Sequence, residues 1–445
     1  MPRLWSRIDV VLGRTQSALQ NLPILILLFL NLSMDLPLDF CFYLLDDGPI
    51  SVMMLNRMEK VRMGKVRNAF NLLVDHAHRW RNVQIRLPFK QHGAGRFSYL
   101  NWPDDLPMLE NLFMECLDYR SPEFLLITPN CRMPKLKVLH LKGLWLPGDD
   151  SFRAFEHSSP DLLIVDTDDL DWRVTEIASK STAVRLQGMS WFEPESVTCR
   201  ARRLEIFQRP KPAPHIDALS EAVRRITLSN VTELVFGRDS QQEYSARLPY
   251  PTFLDSDEFF KPFLFAWDSF IQLLSGRCNG RKITRFTIAN YIISDANLLD
   301  VISRLPSLTF LAIDERFPYA SDKDRIDDTN RIFALTKPFF RVITPSAIAN
   351  PAFVIPMTAL KQLRLGFHPN SFDLTCSDGR LSFAECIMVL LDMVESRALG
   401  RERGLKKLWV HFESESSAAL AGEDNWNRRI QMLREDGLDF SIAWD

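Results

Sequence analysis

Glycine is scarce in this 445-residue chain, at 17 residues against 26 prolines. That pairing disfavours a glycine-hinged nucleotide-binding fold and favours many short elements ended by proline. Charge bias is missing as well. With 54 basic side chains against 56 acidic ones, 46% hydrophobic and 25% charged residues, the chain can bury a core. It is neither disordered throughout nor a wholesale polyanion binder. The seven cysteines, Cys41, Cys116, Cys131, Cys199, Cys278, Cys376 and Cys386, contain no CxxC pair and no even framework. Buried free thiols in a reducing compartment, cytoplasmic or nuclear, are expected.

No uninterrupted apolar run reaches the roughly 18 to 20 residues that a bilayer-spanning helix needs. Leu22 to Leu32 reads LPILILLFLNL and Leu36 to Leu45 follows closely, but Asn31, Asp35, Asp39, Pro23 and Pro37 break the pair. A signal peptide is disfavoured by Asp9 and the polar stretch Arg14 to Asn21 ahead of the apolar segment. Two buried segments of a globular protein are the expectation, with no membrane partner.

Catalytic signatures are also lacking. Gly93 and Gly95 have no third glycine, and Gly280 is followed by Arg281 and Lys282 without serine or threonine, so neither dinucleotide nor P-loop motifs apply. No serine sits in a glycine-flanked elbow and no HExxH occurs. In DHAHRWR, His76 and His78 stand two apart, a spacing that diverges by about 200 degrees on a helix and cannot share one metal there. His140, His157, His215, His368 and His411 lack partners at ligand spacing, and the acidic run Asp166, Asp168, Asp169 and Asp171 reads as solvated loop. No cofactor, metal or catalytic residue is expected.

What is abundant is leucine, with 61 residues, and a local pattern of apolar residues at positions one, four and six. Leu106-Pro107-Met108-Leu109 runs on to Leu112 and Met114; Met133-Pro134-Lys135-Leu136 to Leu139 and Leu141; Leu305-Pro306-Ser307-Leu308 to Leu311 and Ile313. Weaker copies are Trp80, Val83, Ile85; Val223, Ile226, Leu228; Ile283, Phe286, Ile288; Leu360, Leu363, Leu365; and Leu405, Leu408, Val410. Bare triplets arise by chance on the order of twenty times in such a chain. The proline-led version should arise less than about once, yet three are present.

Positions four and six lie two apart on a strand and share a face, so each copy is a short strand with one edge to bury. Stacking the copies in a parallel sheet buries those edges if helices cover the other side. Helical segments are legible between copies. Ser294 caps a stretch with Leu298, Leu299, Ile302 and Leu305; Ser382 and Glu385 form a capping box before Cys386, Ile387, Leu390, Leu391 and Val394, with Gly400 past the end; Trp426, Ile430 and Leu433 form a third stripe, stopped by Gly437. The expected fold is α/β, a leucine-rich-repeat-like solenoid: a curved parallel sheet with helices on the convex side and irregular repeats of about 20 to 30 residues.

The expected organisation is an N-terminal capping segment at 1–45, an irregular basic insert at 46–68 carrying Arg57, Lys60, Arg62, Lys65 and Arg67, and repeats at 69–236. A Pro/aromatic-rich insert follows at 237–270, with Phe253, Phe259, Phe260, Phe263, Phe265, Trp267 and Phe270, then further repeats and a cap at 271–445. The aromatics of that insert read as packing onto the flank of the solenoid, with a docking surface as the alternative.

The strings PRLWSRIDV, LPLDF at Leu36 to Phe40, HAHRWRNVQIRLP at His76 to Pro88, LPMLENLFM, MPKLKVLHLKG, ISDANLLDVISRLPSLTFLAID, LDMVESR, GLKKLWV and REDGLDFSI occur in an order that resembles mushroom-forming fungal F-box proteins with degenerate leucine-rich repeats. In that family a helical F-box precedes the LWSRI segment and binds the Skp-type adaptor of a cullin ubiquitin ligase, while the repeats hold the target. Here the sequence starts at LWSRI, so the resemblance covers the target-recognition half, and the adaptor is an expected partner only if an F-box lies upstream.

The resemblance implies a non-enzymatic protein-protein interaction module whose partner is a protein substrate of unknown identity, with no nucleic acid. Alternation of the strands nominates Glu110, Lys137, His140, Lys142, Arg285 and Arg364 as partner-facing residues. The alternatives are a hydrolase or transferase with a site assembled from distant residues, or a protein anchored to a membrane through residues 22–45.

Overall fold

The computed structural model describes residues 5–12, 16–44, 64–65, 67–87, 102–116, 131–142, 155, 158–166, 169–170, 177–187, 191–192, 197–208, 223–238, 267–278, 280–289, 293–315, 335, 337–344, 357, 359–367, 383–398, 404–412 and 424–444. The chain divides into two units, Met1–Pro194 and Glu195–Asp445. Both are α/β, and each is built on a run of seven parallel strands among the described residues.

In the first unit these are β1 (Arg7–Leu12), β2 (Leu38–Leu44), β3 (Trp80–Leu87), β4 (Asn111–Cys116), β5 (Val138–Lys142), β6 (Leu162–Asp166) and, after the short β7 (Asp169–Leu170), β8 (Ala183–Gln187). β7 pairs separately with β9 (Trp191–Phe192). In the main run every strand pairs with the next one in order. The position-four residues Phe40, Val83, Leu112, Leu139, Leu163 and Val184 are therefore direct cross-strand neighbours, and all are buried. Phe70, on the helical stretch 67–74, covers this face by meeting Phe42, Trp80 and Trp102 edge-on at 5.5, 6.1 and 6.1 Å.

The second unit repeats the scheme. β10 (Val197–Cys199) pairs with β12 (Ile226–Leu228) as a side ribbon. The main strands are β11 (Arg203–Gln208), β13 (Glu233–Arg238), β14 (Arg285–Ala289), β15 (Phe310–Asp314), β16 (Gln362–Phe367), β17 (Lys407–Phe412) and β18 (Asp439–Trp444). Leu204, Leu234, Phe286, Leu311, Leu363, Leu408 and Phe440 line up in register. The expected adjacency of Leu112 with Leu139 and of Phe286 with Leu311 is thus observed. Each such burial is worth roughly 1.5 to 3 kcal/mol, and strands of this length cannot realise it alone.

One triplet is corrected. Val223, Ile226 and Leu228 lead into the side ribbon rather than a main strand, and the main strand belongs to Val231, Leu234 and Phe236, all buried. Both triplets satisfy the same local pattern; only the second continues into six extended residues and reaches a neighbour on each side.

Backbone hydrogen bonds mark where each strand begins. Thr284 and Arg285 both donate to the Thr232 carbonyl, Thr309 and Phe310 to that of Thr284, Lys361 and Gln362 to that of Thr309, and Lys406 and Lys407 to that of Lys361. One carbonyl thus serves two amides at each step, which holds the register at the leading edge of the sheet.

The helices of the second unit are α2 (Trp267–Gln272), α3 (Asp295–Ser303), α4 (Lys337–Ile343), α5 (Phe383–Ala398) and α6 (Asp424–Glu435); α1 (Gln16–Ser33) belongs to the first. Ser294 caps α3 as expected, its hydroxyl accepting from the Asn297 amide at 3.2 Å. Ser382 lies outside the described residues, while Ile387, Leu390, Leu391 and Val394 of α5 are buried. Trp426, Ile430 and Leu433 of α6 are buried too, and Gly437 ends that helix region at φ +93°.

Phe270 of α2 packs on Phe236 and Phe286 at 4.8 and 5.9 Å. It is the one insert aromatic whose side chain is described; Trp267 opens α2, and Phe253 to Phe265 lie outside the described residues, as do Arg57, Lys60 and Arg62 of the 46–68 stretch.

The apolar run of α1 is only part-buried, a correction to the expectation of two buried segments. Ile26, Phe29 and Leu30 are buried, whereas Ile24, Leu25, Leu27 and Leu28 are exposed. A helix turns about 100 degrees per residue, so a continuous run points all round and one face alone can meet the sheet. No described helix is long and apolar enough to cross a membrane.

Candidate functional site

Alternation along the first five strands sends positions four and six inward and positions three, five and seven to the opposite face. Parallel register then lines up the outward side chains in rows. The first row is Arg7, Asp39, Asn82, Asn111 and Val138; the second is Asp9, Cys41, Gln84, Phe113 and His140; the third holds Tyr43, Arg86, Glu115, Lys142 and Asp166. The first two rows line a recess of about 450 Å³.

The first row is a hydrogen-bonded ladder. Arg81 grips Asp39 with two bonds, Nε to Oδ1 at 3.0 Å and Nη2 to Oδ2 at 2.5 Å. The Asn82 amide donates to Asp39 Oδ1 at 2.7 Å, and Asn111 donates to Asn82 Oδ1. The third row alternates charge. Glu115 is buried between Arg86 at 3.4 Å and Lys142 at 2.9 Å, and Arg86 stacks over the rings of Tyr43 and Phe113 at 5.7 and 5.2 Å. With its amide oriented to satisfy both ends, the Gln84 oxygen accepts from Arg86 Nε at 2.7 Å. These bonds hold the walls of the recess in one arrangement.

Between the two polar rows, His140 meets Phe113 edge-on at 4.5 Å. Its Nε2 is buried and has no hydrogen-bond partner among the described residues. Burial, aided by the cations Lys142, Arg185 and Arg86, pulls the imidazole down to about 4, so it is neutral at pH 7. In the same row, the Cys41 thiol is pushed up by burial, against the pull of Arg86, and stays protonated. Cys41 and His140 lie three strand spacings apart, roughly 14 Å at about 4.8 Å per strand, far beyond the contact a thiolate-imidazole pair needs. The groups of the recess are arranged to hydrogen-bond and to stack.

Of the residues nominated from sequence, His140 lines the recess and Lys142 sits in the row beside it. Glu110 and Lys137 pair with each other at 3.1 Å at the leading ends of β4 and β5, one step outside the rows. Arg285 and Arg364 belong to the second unit. Arg285 lies 3.3 Å from Glu233 and 4.0 Å over the Phe310 ring; Arg364 is exposed in β16, registered between Ala312 and Trp409.

Asp39, Cys41, Asn82, Gln84, Asn111 and Phe113 were not foreseen. The alternation on β4 contained the clue, since Asn111, Phe113 and Glu115 flank the buried Leu112 and Met114. Their convergence depends on cross-strand register, which one strand cannot reveal.

Among the described residues no three His, Cys, Asp or Glu side chains converge to hold a metal. His76, which precedes the 3₁₀ turn Ala77–Arg79, and His78, which lies within it, have ring centroids 6.3 Å apart. Cys131, Cys199 and Cys278 are buried free thiols, and Cys41 is half-buried. Compared with known proteins, the chain matches no family model and no curated protein at a significant level.

Proposed function

We propose that this chain is a non-enzymatic protein-binding module, a leucine-rich-repeat-like solenoid similar to the target-holding part of an F-box receptor of a ubiquitin ligase. On this reading, the recess in the first unit receives an extended segment of the target. The observation that carries the reading is the recess itself, lined by the edge-on Phe113–His140 pair and framed by the Asp39–Asn82–Asn111 ladder. The amide ladder suits main-chain groups of an extended peptide, and the Phe113 ring suits an apolar side chain. The in-register rows of buried leucines and the family resemblance in the sequence support the architecture.

The test is to pan a random dodecapeptide display library against the full chain and measure the selected peptides by fluorescence anisotropy. Selected peptides are expected to lose about tenfold or more in affinity on Phe113→Ala and on His140→Leu, in line with loss of a central contact. No selected peptide, or peptides indifferent to both variants, would overturn the assignment. The ligase connection is tested separately by capture of a Skp-type adaptor with a transcript that includes any in-frame upstream F-box; failure of capture removes that part and leaves the module.

A further inference from the structure

The leading edge of the second unit is strongly basic. The described turns at 200–203, 229–233, 280–285, 304–310, 359–362, 404–407 and 436–439 hold ten Arg and Lys residues against three acidic ones, Glu233, Asp436 and Asp439, in a chain whose net charge is only −2. Several of these cations have acidic neighbours: Arg203 pairs with Glu205 at 2.5 Å and, with Arg285, shares Glu233 at 3.6 and 3.3 Å, Arg304 pairs with Asp300 at 3.1 Å, and Lys407 with Asp439 at 3.3 Å. Arg200, Arg202, Lys282, Lys361 and Lys406 are exposed, and Lys282 reaches a carbonyl, that of Ser229, at 3.2 Å.

The backbone bonds place this charge on one line. Thr232 donates to the Arg202 carbonyl, Thr284 to Thr232, Thr309 to Thr284, Lys361 to Thr309 and Lys406 to Lys361. Over its first six strands the line runs roughly 24 Å at about 4.8 Å per step, and the Asp439 amide, donating to the Lys406 carbonyl, carries it onto β18, where the Asp439 carboxylate is paired with Lys407. Its middle is lined by threonines whose hydroxyls are turned back onto the preceding carbonyl, at 3.3, 3.3 and 2.9 Å for Thr232, Thr284 and Thr309. Small, internally satisfied side chains therefore form a floor, flanked at one end by Arg200 and Arg202, in the middle by Lys282, and at the other end by Lys361 and Lys406.

We infer that this edge binds an extended acidic peptide segment, with about seven residues spanning the line at roughly 3.3 Å each. Spaced carboxylates along such a segment meet spaced cations. A single nucleic-acid strand fits less well, because base stacking needs an open aromatic face, and Phe310, the one described aromatic in these turns, lies under the Arg285 guanidinium at 4.0 Å. The site is in a different unit from the recess and stands independently of it.

The probes are fluorescein-labelled octaglutamate, octaglutamine and an oligothymidine of equal length, titrated with the full chain. Octaglutamate is expected to bind at about 50 mM salt and to weaken about tenfold at about 500 mM, as exposed charges are screened, while octaglutamine does not bind. The double variant Lys361→Glu, Lys406→Glu is expected to lose about tenfold, and Arg202→Glu, at the far end of the line, to lose affinity as well; circular dichroism confirms that each is folded. Phe113→Ala leaves octaglutamate binding unchanged, which separates this site from the recess. Absence of octaglutamate binding, indifference to both sets of charge reversals, loss with Phe113→Ala, or tighter binding of oligothymidine would each overturn the assignment.

Discussion

His140 sets the chemistry of the recess through its protonation state. In the unfolded chain the imidazole titrates near its ordinary 6.5, whereas in the folded protein burial and the nearby Lys142, Arg185 and Arg86 lower it to about 4. Between these values the unfolded chain binds the proton and the folded one does not, so this contribution to stability is full above pH 6.5 and is lost as pH falls toward 4. The expected loss is about 2 kcal/mol between about pH 7 and pH 5. Urea unfolding of the wild type and of His140→Leu at both pH values measures it: the difference between the two proteins should change with pH by that amount, and a constant difference would refute the assignment. That position 140 faces away from Leu139 and Leu141 was legible from alternation. The burial of its ring was not, because Phe113 on another strand packs against it.

Among the elements, α5 carries more than its apolar stripe. Arg397, near its C-terminal end, donates through Nη1 to the Met357 carbonyl at 2.9 Å and through Nη2 to the Ile343 carbonyl. Ile343 is the last residue of α4, so one guanidinium caps that helix and anchors the chain approaching β16. Burial lowers Arg397 to about 10, which leaves it charged at neutral pH. Arg397→Met is expected to destabilise the fold by about 2 to 3 kcal/mol, and Arg397→Lys, which presents a point charge rather than a planar fork, to recover only part. Equal denaturation midpoints for the wild type and the Arg397→Met variant would show that the caps contribute nothing. Arg429 of α6 similarly bridges to Glu395 and Asp392 of α5 at 2.7 Å each. The stripes of α3, α5 and α6 were readable because helical period is a local property; these inter-helix arginine contacts were not, since 34 or more residues separate the partners.

At the scale of the whole molecule, cohesion is carried by rows of inward side chains repeated strand after strand. Leu311, between Phe286 and Leu363 and fully buried, tests this. Leu311→Ala should cost about 2.5 to 4 kcal/mol. If each strand is secured chiefly by its neighbours, the added amide hydrogen exchange will concentrate in β14, β15 and β16. Exchange raised equally in all strands of the second unit would argue instead for a single cooperative core.

The sequence by itself determined the class of building block: short strands with two inward apolar positions, three capped or striped helices, and the want of any local catalytic or metal motif. These follow from periods of 2 and 3.6 residues, which any window of about a dozen residues displays. Tertiary structure decided which triplet near residue 230 joins the main strands, which face of α1 is covered, and that Asp39, Asn82, Asn111, Phe113 and His140 share one recess. The rows of that recess depend on register between strands whose paired residues stand 27 to 43 positions apart, from Asn111 with Val138 to Asp39 with Asn82. Pairing at that distance is settled by the joint burial of many side chains rather than by the residues of any one segment.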